Sequence, residues 1–310
     1  MKLCRFEHAG RTQVGFYAEQ QVVPLIAVAQ AAGVVLTEGE DLLPFLPGGA
    51  EREAALRVDA WRVDHATAIE GLALKNVPIL TPVPRPNKLL LLAGNYAKHI
   101  EEGGEIAVER ARTYPYVFMK PASTTLNRHG GEIPIPAVSP NHIDWECELG
   151  VIIGRRAKGV TEAEALDYVA GYTVVNDISD RGFRPNPDRS ERDRDKFFDW
   201  QHGKWHDGSC PVGPCVACPE SIPDPQTLPL RLSVNGEVHQ DASTAMQIFP
   251  VAAVIEFISS FVTLEPGDII STGTAAGVGH AKGVHLKAGD QVEASIEGIG
   301  TLKNTMVSGD

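Results

Sequence analysis

The stretch HIDWECELGVIIG, residues 142–154, places three carboxylates at every second position before an apolar run. In a β-strand, alternate side chains share a face and the chain rises about 3.3 Å per residue, so Asp144, Glu146 and Glu148 are expected on one face. Converging carboxylates repel each other unless a cation neutralises them, and oxygen ligands select a hard ion such as Mg²⁺, Mn²⁺ or Ca²⁺. A solvated edge strand is the alternative, but the apolar residues that follow favour a strand that enters the core.

A second strand-like run, GYTVVNDIS, ends at Asp177, where a neighbouring strand would bring a further acidic ligand to the same ion. Asn176 and Asp177 at a strand end are also compatible with ordinary turn chemistry. The alternating acids therefore predict a divalent-ion site, and this aspartate is a candidate to complete it.

The run LAGNYAKHIEEGG predicts a short helix on which His99 and Glu102 share a face, because they stand three residues apart. A carboxylate beside a histidine orients the imidazole and tunes its charge, as a general base requires. The same spacing is typical of a surface salt bridge. The pair is therefore a candidate catalytic dyad that needs support from the rest of the chain.

The composition of the 310-residue chain argues against some classes of partner. The net charge is −12, whereas a nucleic-acid-binding protein normally presents a basic face. The first residues, MKLCRFEHAGRTQVGF, lack the apolar core of a signal peptide, and the longest apolar run, VAAVIEFISSFV, is too short for a membrane span. We therefore expect a cytoplasmic protein that binds neither nucleic acid nor membrane.

Five cysteines, an odd number, indicate a reducing compartment. Together with one histidine, three of them have the residue types of a zinc site: His206, Cys210, Cys215 and Cys218. However, GPCVAC resembles a short strand between prolines, and a strand would hold Cys215 and Cys218 apart, so a strand is favoured over zinc. The histidines that remain as possible ligands are expected on surface loops: His202, His206, His280 and His285.

A proline-rich connector, VPILTPVPRPNKL, divides the chain into two predicted domains. Residues 1–80 predict a small N-terminal α+β domain, in which short strands precede Ala-rich helices. Residues 81–310 are mostly strands and turns, with a hairpin signal, NG, in LSVNGEVHQ. Thr161 and Glu164 form a capping box that predicts a helix in TEAEALDYV, and Pro250 fits the first turn of PVAAVIEFISSF. Because strands do not alternate with helices, the fold class is β-rich α+β, a mixed β-roll, and a doubly wound sheet is not expected.

Several segments, in order along the chain, resemble the fumarylacetoacetate hydrolase family: LLLAGNYAKHIEEGG, FMKP, DWECELGVIIGR, AGYTVVNDISDR, DGSCPVGP, LRLSVNGEVHQD and LEPGDIISTGTAAGVG. The resemblance runs from about Asn87 to about Glu297, and the E-x-E strand followed by ND-x-S-x-R is its most specific part. It implies a mixed β-sandwich roll, usually assembled as a homodimer. The small N-terminal unit resembles the one borne by longer bacterial members.

In that family, two glutamates and the following aspartate hold a divalent ion. These ligands fall on Glu146, Glu148 and Asp177, which leaves Asp144 as a supporting or exposed residue. The resemblance implies one Mg²⁺ or Mn²⁺ per chain. The other functional positions that it implies are catalytic His99, Glu102, Lys120 and Lys204, and substrate-binding Arg181, Gly273 and Thr274.

Leu92 stands where the founding hydrolases of the family carry a further aspartate. The chain therefore resembles the three-carboxylate branch, which contains acylpyruvate hydrolases, oxaloacetate decarboxylases, dienedioate isomerases and sugar-acid enzymes. The segment 182–205 is longer than in the shortest relatives. Its nearly balanced charges suit a solvated loop, and its length suits a mobile lid over the site.

The function expected from these residues is metal-dependent hydrolysis of a C–C bond in acylpyruvate-like 2,4-dioxo acids. A 2-oxo carboxylate substrate chelates the ion, which stabilises the departing enolate, while His99 oriented by Glu102 activates water. The same ion would serve decarboxylation of an oxaloacetate-type diacid or isomerisation of a 2-hydroxy-dienedioate. The histidine–glutamate pair favours hydrolysis. A non-enzymatic metal or ligand binder on this fold is the remaining alternative.

Overall fold

The structure, a computed structural model, describes residues 1–309 and has a β-rich α+β fold. Its strands are β1 (Lys2–His8), β2 (Arg11–Tyr17), β3 (Gln21–Pro24), β4 (Leu72–Ala73), β5 (Ile79–Leu80), β6 (Leu89–Ala93), β7 (Tyr116–Met119), β8 (Leu126–Asn127), β9 (Glu132–Ile135), β10 (Ile143–Asp144), β11 (Cys147–Ile153), β12 (Val169–Asn176), β13 (Ser179–Asp180), β14 (Cys210–Ala217), β15 (Pro229–Val234), β16 (Glu237–Ser243), β17 (Ile269–Thr274), β18 (Gln291–Ile296) and β19 (Gly300–Ser308). Its helices are α1 (Leu25–Ala31), α2 (Arg52–Asp64), α3 (Ala97–Glu102), α4 (Ala122–Thr125), α5 (Asp195–His202) and α6 (Val251–Phe261).

Two mixed sheets and one short ribbon make up the strand architecture. The larger, 12-stranded sheet has the order β4-β3-β2-β1-β14-β12-β11-β17-β6-β7, with β5 on β1 and β8 on β14. The five-stranded sheet has the order β16-β15-β18-β19-β9, and β10 pairs with β13. Most neighbours are antiparallel, whereas β6 with β17, β8 with β14 and β9 with β19 are parallel. The predicted mixed, β-rich fold is confirmed.

Both faces of the larger sheet are buried, which explains why the apolar residues of β11 do not alternate with polar ones. On one face, Leu149 and Val151 belong to a core that also contains residues of the smaller sheet and of α6. On the other face, Ile152 and Val175 belong to a core shared with α1 and α2. The central strands β11 and β12 are therefore held from two sides.

The N-terminal strands extend the larger sheet, because β1 pairs with β14 and Leu3 lies opposite Val216. The helices α1 and α2 lie where the Ala-rich segments predict them. Since one sheet runs through both parts of the chain, the division into domains 1–80 and 81–310 stays a prediction.

Local turn chemistry gives one confirmed prediction and one wrong one. The NG turn joins β15 and β16, with φ of 52° at Asn235 and 84° at Gly236, as a tight hairpin turn requires. The predicted helix in TEAEALDYV is wrong. Thr161 Oγ1 does donate to Glu164 Oε2 at 2.7 Å, but only a short 3₁₀ turn, Ala165–Tyr168, follows. Because β12 begins directly after that turn, the chain is too short for an α-helix there.

In the described chain, residues 1–309, all five cysteines are free and buried. Cys215 belongs to the core between the sheets, whereas Cys210 and Cys218 belong to the core under α1 and α2. His206 contacts Asp180, with 3.2 Å between Nε2 and Oδ2. The preferred interpretation as a strand is confirmed, since β14 directs these thiols into opposite cores.

The longer helices are α2, with 13 residues, and α6, with 11. Of the helices between residues 1 and 309, none combines the length and the apolar composition needed to cross a bilayer.

Candidate active site

The stretch HIDWECELGVIIG forms two strands, β10 and β11, instead of the single strand predicted for it. The backbone N–H of Trp145 bonds to Asp144 Oδ1 at 2.9 Å, and that of Glu146 bonds to Asn176 Oδ1 at 3.0 Å. Because side chains take these two donors, the regular ladder stops after β10 and restarts at Cys147. The register does not change across the interruption, since Asp144 pairs with Ser179 and Cys147 with Asn176.

Glu146, Glu148 and Asp177 converge in the interior as the sequence predicts. One carboxylate oxygen from each lies within 4.8 Å of the others, and all three side chains are buried. The cause is the antiparallel register of β11 and β12, in which Asp177 stands opposite Glu146 and donates its N–H to the Glu146 carbonyl at 2.9 Å. Glu148 follows two residues later and therefore points to the same side.

Glu148 is the least satisfied of the three carboxylates. Its Oε2 accepts bonds from Ser271 Oγ at 2.6 Å and from the Gly273 N–H at 2.8 Å, whereas Oε1 has no hydrogen-bond partner among residues 1–309. Burial raises the pKa of Glu148 well above its ordinary value, and the charges of Asp177 and Glu146 add to this shift. A cation close to Oε1 would offset the free-energy cost of ionising this buried carboxyl group. The all-oxygen donor set thus fits a hard divalent ion.

Two buried lysines compensate the other two carboxylates. Lys204 Nζ lies 2.7 Å from Glu146 Oε2 and 2.6 Å from Asp177 Oδ2. Lys120 Nζ lies 2.7 Å from Asp177 Oδ1 and also donates to two backbone carbonyls. Burial alone would raise the pKa of Glu146, but Lys204, Arg181 and His99 together outweigh it, and the pKa of Glu146 falls well below its ordinary value. The structure therefore places both predicted lysines in contact with the predicted ion ligands.

Asp144 supports Glu146 through Arg181. Arg181 Nε donates to Asp144 Oδ2 at 3.0 Å, and its Nη2 donates to Glu146. Asp144 Oδ1 accepts the N–H of Gly279 at 2.7 Å, and the Asp144 side chain is fully buried. The alternative of a solvated acidic strand is therefore wrong, and the supporting position expected for Asp144 agrees with these contacts. A substrate-binding role for Arg181 stays a prediction.

His99 and Glu102 form the expected pair on α3. His99 Nδ1 lies 2.7 Å from Glu102 Oε1, and Glu102 Oε2 accepts the N–H of Gly277 at 2.9 Å. Because a carboxylate only accepts, Nδ1 carries the proton and the lone pair of a neutral His99 lies on Nε2. His99 lies close enough to Glu146 to contribute, together with Lys204, to the lowered pKa of Glu146. Both side chains of the pair are 19% exposed, so water reaches them, whereas the three carboxylates are buried.

Gly273 and Thr274 end β17 directly beside the acidic cluster. Gly273 donates to Glu148, as described above, and has a φ of +86°. Thr274 Oγ1 donates to the Cys147 carbonyl at 3.0 Å and accepts from Gln240 Nε2 at 2.8 Å. The Thr274 hydroxyl is thus engaged within the protein, and its contact with a substrate stays a prediction.

The family model described as "Fumarylacetoacetate (FAA) hydrolase C-terminal" matches residues 88–307. The chain belongs to the fumarylacetoacetate hydrolase family. It is 38% identical to the 2,4-didehydro-3-deoxy-L-rhamnonate hydrolase of Sphingomonas sp. (strain SKA58), over 82% of this chain and 88% of that protein. It is 37% identical to a mitochondrial oxaloacetate tautomerase of Bos taurus, over 86% of this chain and 79% of that protein. The crystal structure of maleylpyruvate hydrolase from Sphingobium sp. SYK-6, in complex with manganese(II) and pyruvate, superposes with a TM-score of 0.74 at 25% identity and covers both chains fully. These relatives are named enzymes, and this member of the fumarylacetoacetate hydrolase family is an enzyme as well.

Gln240, which the sequence patterns did not single out, links three of the strands that form the site. Gln240 of β16 is fully buried, and its Oε1 accepts the N–H of Cys147, between the two glutamates, at 2.9 Å. Its Nε2 donates to Thr274 Oγ1 and, at 2.7 Å, to the Ala275 carbonyl. The segment LRLSVNGEVHQD contains Gln240, but a single glutamine has no spacing pattern that reveals a buried network.

The long segment 182–205 contains α5 and delivers Lys204 to the site of this fumarylacetoacetate hydrolase family enzyme. Arg189 holds the loop against α5 through ion pairs with Asp195 and Asp199. Trp200 of α5 packs edge-on against Phe118 of β7, with 5.0 Å between the ring centroids. Any movement of α5 would therefore also move Lys204, and the lid function stays a prediction.

Proposed function

We propose that the protein is a divalent-metal-dependent hydrolase that cleaves a C–C bond in acylpyruvate-like 2,4-dioxo acids. The observation that carries the proposal is the His99–Glu102 pair beside the three converging carboxylates. An imidazole oriented by a carboxylate is suited to take a proton from water, which hydrolysis needs and decarboxylation does not. The similarity to a hydrolase of a 2,4-didehydro-3-deoxy sugar acid supports the same reaction class.

Glu146, Glu148 and Asp177 would hold one Mg²⁺ or Mn²⁺. When bound, the ion would act as a Lewis acid on the 2-oxo and carboxylate oxygens of the substrate. The support is the all-oxygen donor set, the unpartnered Oε1 of Glu148 within residues 1–309, and the manganese(II) in the complex of maleylpyruvate hydrolase. Both ions prefer such ligands.

The buried charges around the cluster suit an anionic substrate. The carboxylates exceed the cations by one, so the protein groups alone leave one negative charge when all are ionised. A divalent ion converts this into one positive charge, which a substrate carboxylate would neutralise. The groups counted are the carboxylates of Asp144, Glu146, Glu148 and Asp177 and the cations of Lys120, Arg181 and Lys204.

In the proposed reaction, His99 Nε2 takes a proton from a water whose oxygen bonds to the C4 carbonyl carbon of the 2,4-dioxo acid. The bond between C3 and C4 then breaks, its electron pair stays with C3, and C3 takes up a proton. The products are a carboxylic acid and a 2-oxo acid such as pyruvate. Glu102 stabilises the imidazolium form of His99, and Lys204, which has one N–H left, donates to an oxygen on which negative charge develops. Lys120 uses its three N–H groups within the protein, so it holds Asp177 in place and contributes its positive charge.

The substrate-binding residues in this proposal lie around the acidic cluster. Arg181 contacts Glu146, and Gly273 contacts Glu148, so both border the position of a chelating substrate. Thr274 follows Gly273 at the end of β17. We assign all three to substrate binding because of this position.

A second candidate function is keto–enol exchange of an oxaloacetate-type 2-oxo diacid, with decarboxylation or dienedioate isomerisation as related reactions. The observation in its favour is the 37% identity to an oxaloacetate tautomerase. These reactions move a proton or lose CO₂ at the carbon next to the 2-oxo group and add no water. Decarboxylation therefore depends less on His99 as a base than hydrolysis does, whereas keto–enol exchange and isomerisation still need a base for their proton transfer.

The test compares His99→Ala with wild type on acylpyruvates and on oxaloacetate, each with Mg²⁺ and with Mn²⁺. We expect acylpyruvate hydrolysis to fall by about 10²–10⁴-fold while ion affinity is kept, and oxaloacetate decarboxylation to fall less. Glu102→Gln should give a milder loss, because the imidazole remains. His8→Ala, an exposed histidine in β1, is the control and should match wild type. Equal losses on both substrates would remove the preference for hydrolysis, and no turnover of either by wild type would show that the enzyme acts on another class of substrate.

A homodimer is also part of the proposal. β7 is an edge strand of the larger sheet, and it exposes Tyr116 by 68% and Met119 by 45%. Next to it, Tyr114 stacks on Phe257 of α6 with 5.8 Å between ring centroids. Exposed apolar side chains on an edge strand suit an interface with a second copy. Light scattering should give a mass near twice 33.4 kDa, and Tyr116→Lys with Met119→Lys should reduce it to the monomer mass.

A further inference from the structure

The carboxylate oxygens of Glu146 and Asp177 are all engaged by cations of the protein itself. Both oxygens of each side chain accept a hydrogen bond from a lysine or an arginine. An ion that binds these two carboxylates together with Glu148 must therefore share oxygens with the protein cations or displace one of them. The cations concerned are Lys120, Arg181 and Lys204.

Lys204 is the cation that contacts both Glu146 and Asp177. Its Nζ lies 2.7 Å from Glu146 Oε2 and 2.6 Å from Asp177 Oδ2, and its side chain is only 3% exposed. Within residues 1–309 these are the acceptors of Nζ, so one of its three N–H groups is free. Lys120, by contrast, spends its three N–H groups on Asp177 and on two backbone carbonyls. Lys204 is thus held by the proposed ion ligands alone.

We propose that Lys204 is the internal counterion of the acidic site and gives up at least one of its two carboxylate contacts when a divalent ion binds. This inference rests on the ion site proposed above. An ion and an ammonium group that bind the same two carboxylates repel each other, and the repulsion is strong because the group is buried. The Lys204 contacts therefore lower the affinity of the site for its ion.

The ring of Phe118 gives Lys204 a second partner. Lys204 Nζ lies 5.5 Å from the centroid of that ring, within the range of a cation–π interaction. Phe118 in turn packs against Trp200 of α5, and Lys204 follows the end of α5 by two residues. Lys204 can therefore leave one carboxylate while its charge stays compensated by the other carboxylate and by the ring.

The displacement would couple ion binding to substrate binding. With two carboxylate contacts, Lys204 has one N–H group for a substrate oxygen, and with one contact it has two. Lys204 would then stabilise negative charge on a substrate most strongly when the ion is present. The ion would thus act on catalysis through Lys204 as well as through its own charge.

The test is calorimetric titration of the full chain with Mg²⁺ after treatment with a chelator. Lys204→Met removes the charge at similar side-chain length, and we expect it to bind Mg²⁺ at least about tenfold more tightly than wild type. Lys120→Met removes a charge that contacts one ligand only, and it should gain less. Lys196→Met is the matched control, because Lys196 is an exposed lysine of α5, and it should bind Mg²⁺ as wild type does.

Thermal unfolding gives a second readout that needs no turnover. In chelator, Lys204→Met should unfold at a lower temperature than wild type, because Glu146 and Asp177 lose the cation that they share. Mg²⁺ should raise the unfolding temperature of Lys204→Met by more than that of wild type, since the stabilisation grows with ion affinity. Lys204→Gln removes the charge but keeps an N–H donor for one carboxylate, and it should show the same two shifts.

Three results would overturn the proposal. If Lys204→Met and Lys204→Gln fold and bind Mg²⁺ no more tightly than wild type, Lys204 does not compete with the ion. If Lys120→Met gains as much affinity as Lys204→Met, the gain reflects the loss of any nearby positive charge. If wild type binds neither Mg²⁺ nor Mn²⁺, the ion site itself is wrong and this inference fails with it, whereas the first two results leave the ion site standing.

Discussion

Gly273→Ala tests whether the end of β17 is as tightly packed against the acidic site as the structure indicates. A Cβ on Gly273 would lie 2.9 Å from Asn95 Cβ and 3.3 Å from the Leu92 carbonyl oxygen. Asn95 has little freedom to move, because its amide bonds to the carbonyls of Thr272 and Phe249 and to the Phe249 N–H. The substitution therefore forces backbone movement.

The expected loss of stability has two parts. A left-handed φ of +86° costs an alanine about 1–2 kcal/mol relative to glycine. The contact with Asn95 adds about 1–3 kcal/mol, the usual range for overpacking a core. The free energy of unfolding should therefore fall by about 2–5 kcal/mol. The movement also weakens the bond from the Gly273 N–H to Glu148, so ion affinity should fall by about 10–100-fold.

Gly289→Ala is the matched control for this prediction. Gly289 has a φ of +95°, and in the described part of the chain no heavy atom lies within 4 Å of the position its Cβ would take. Urea unfolding should show a loss of only about 1–2 kcal/mol for this variant, and calorimetric titration should show unchanged Mg²⁺ binding. If the two variants lose the same stability and both keep wild-type ion affinity, Gly273 is not the close contact that the argument requires.

Glu148→Gln should abolish Mg²⁺ and Mn²⁺ binding, because a neutral amide cannot balance a divalent ion, and calorimetric titration measures this directly. In wild type, the same titration should show proton release and tighter binding as pH rises, since the raised pKa of Glu148 keeps a proton that the ion must displace. Gln240→Leu should lower the free energy of unfolding by about 2–4 kcal/mol in urea, because the Cys147 N–H and the Ala275 carbonyl would be buried without a partner; a loss below about 0.5 kcal/mol would contradict this. Burial lowers the pKa of His129 from 6.5 to about 4, so between these values the unfolded chain binds a proton that the folded chain does not, and stability falls as pH falls. Between pH 7 and pH 5 this contributes about 2 kcal/mol of destabilisation, which His129→Gln should remove from the measured pH dependence of unfolding.

The ion ligands could be predicted from the sequence because their chemistry restricts both residue type and position. Glu146 and Glu148 precede an apolar run, and a buried strand with two acids on one side needs a cation to be stable. Asp177 ends the next strand-like run, and adjacent antiparallel strands bring such positions together. The pairing of His99 with Glu102 could be predicted for a similar reason, since helical spacing alone places the two residues on one face.

Other parts of the site depend on contacts that no local pattern encodes. Gln240 lies more than ninety residues from Cys147, whose N–H it binds, and its amide has no partner of complementary charge that would mark it in the sequence. The rings of His142 and His285 likewise pack against each other, with centroids 5.1 Å apart, although the two residues are far apart in the sequence. The helix predicted in TEAEALDYV failed because the start of β12 limits its length, which the capping residues alone do not show.

The interruption at Trp145 and Glu146, which the sequence did not predict, helps to explain how the site tolerates its charges. Glu146 stands opposite Asp177 in the register of β11 and β12, and like charges at opposed positions destabilise a regular ladder. Here the Asn176 side chain takes the Glu146 N–H, so the two strands need not keep regular ladder geometry at this pair. Lys204 Nζ reaches one oxygen of each carboxylate, at 2.7 and 2.6 Å. Asn176 therefore satisfies the backbone and Lys204 offsets the charge, and Oε1 of Glu148 is left as the carboxylate oxygen most in need of a cation.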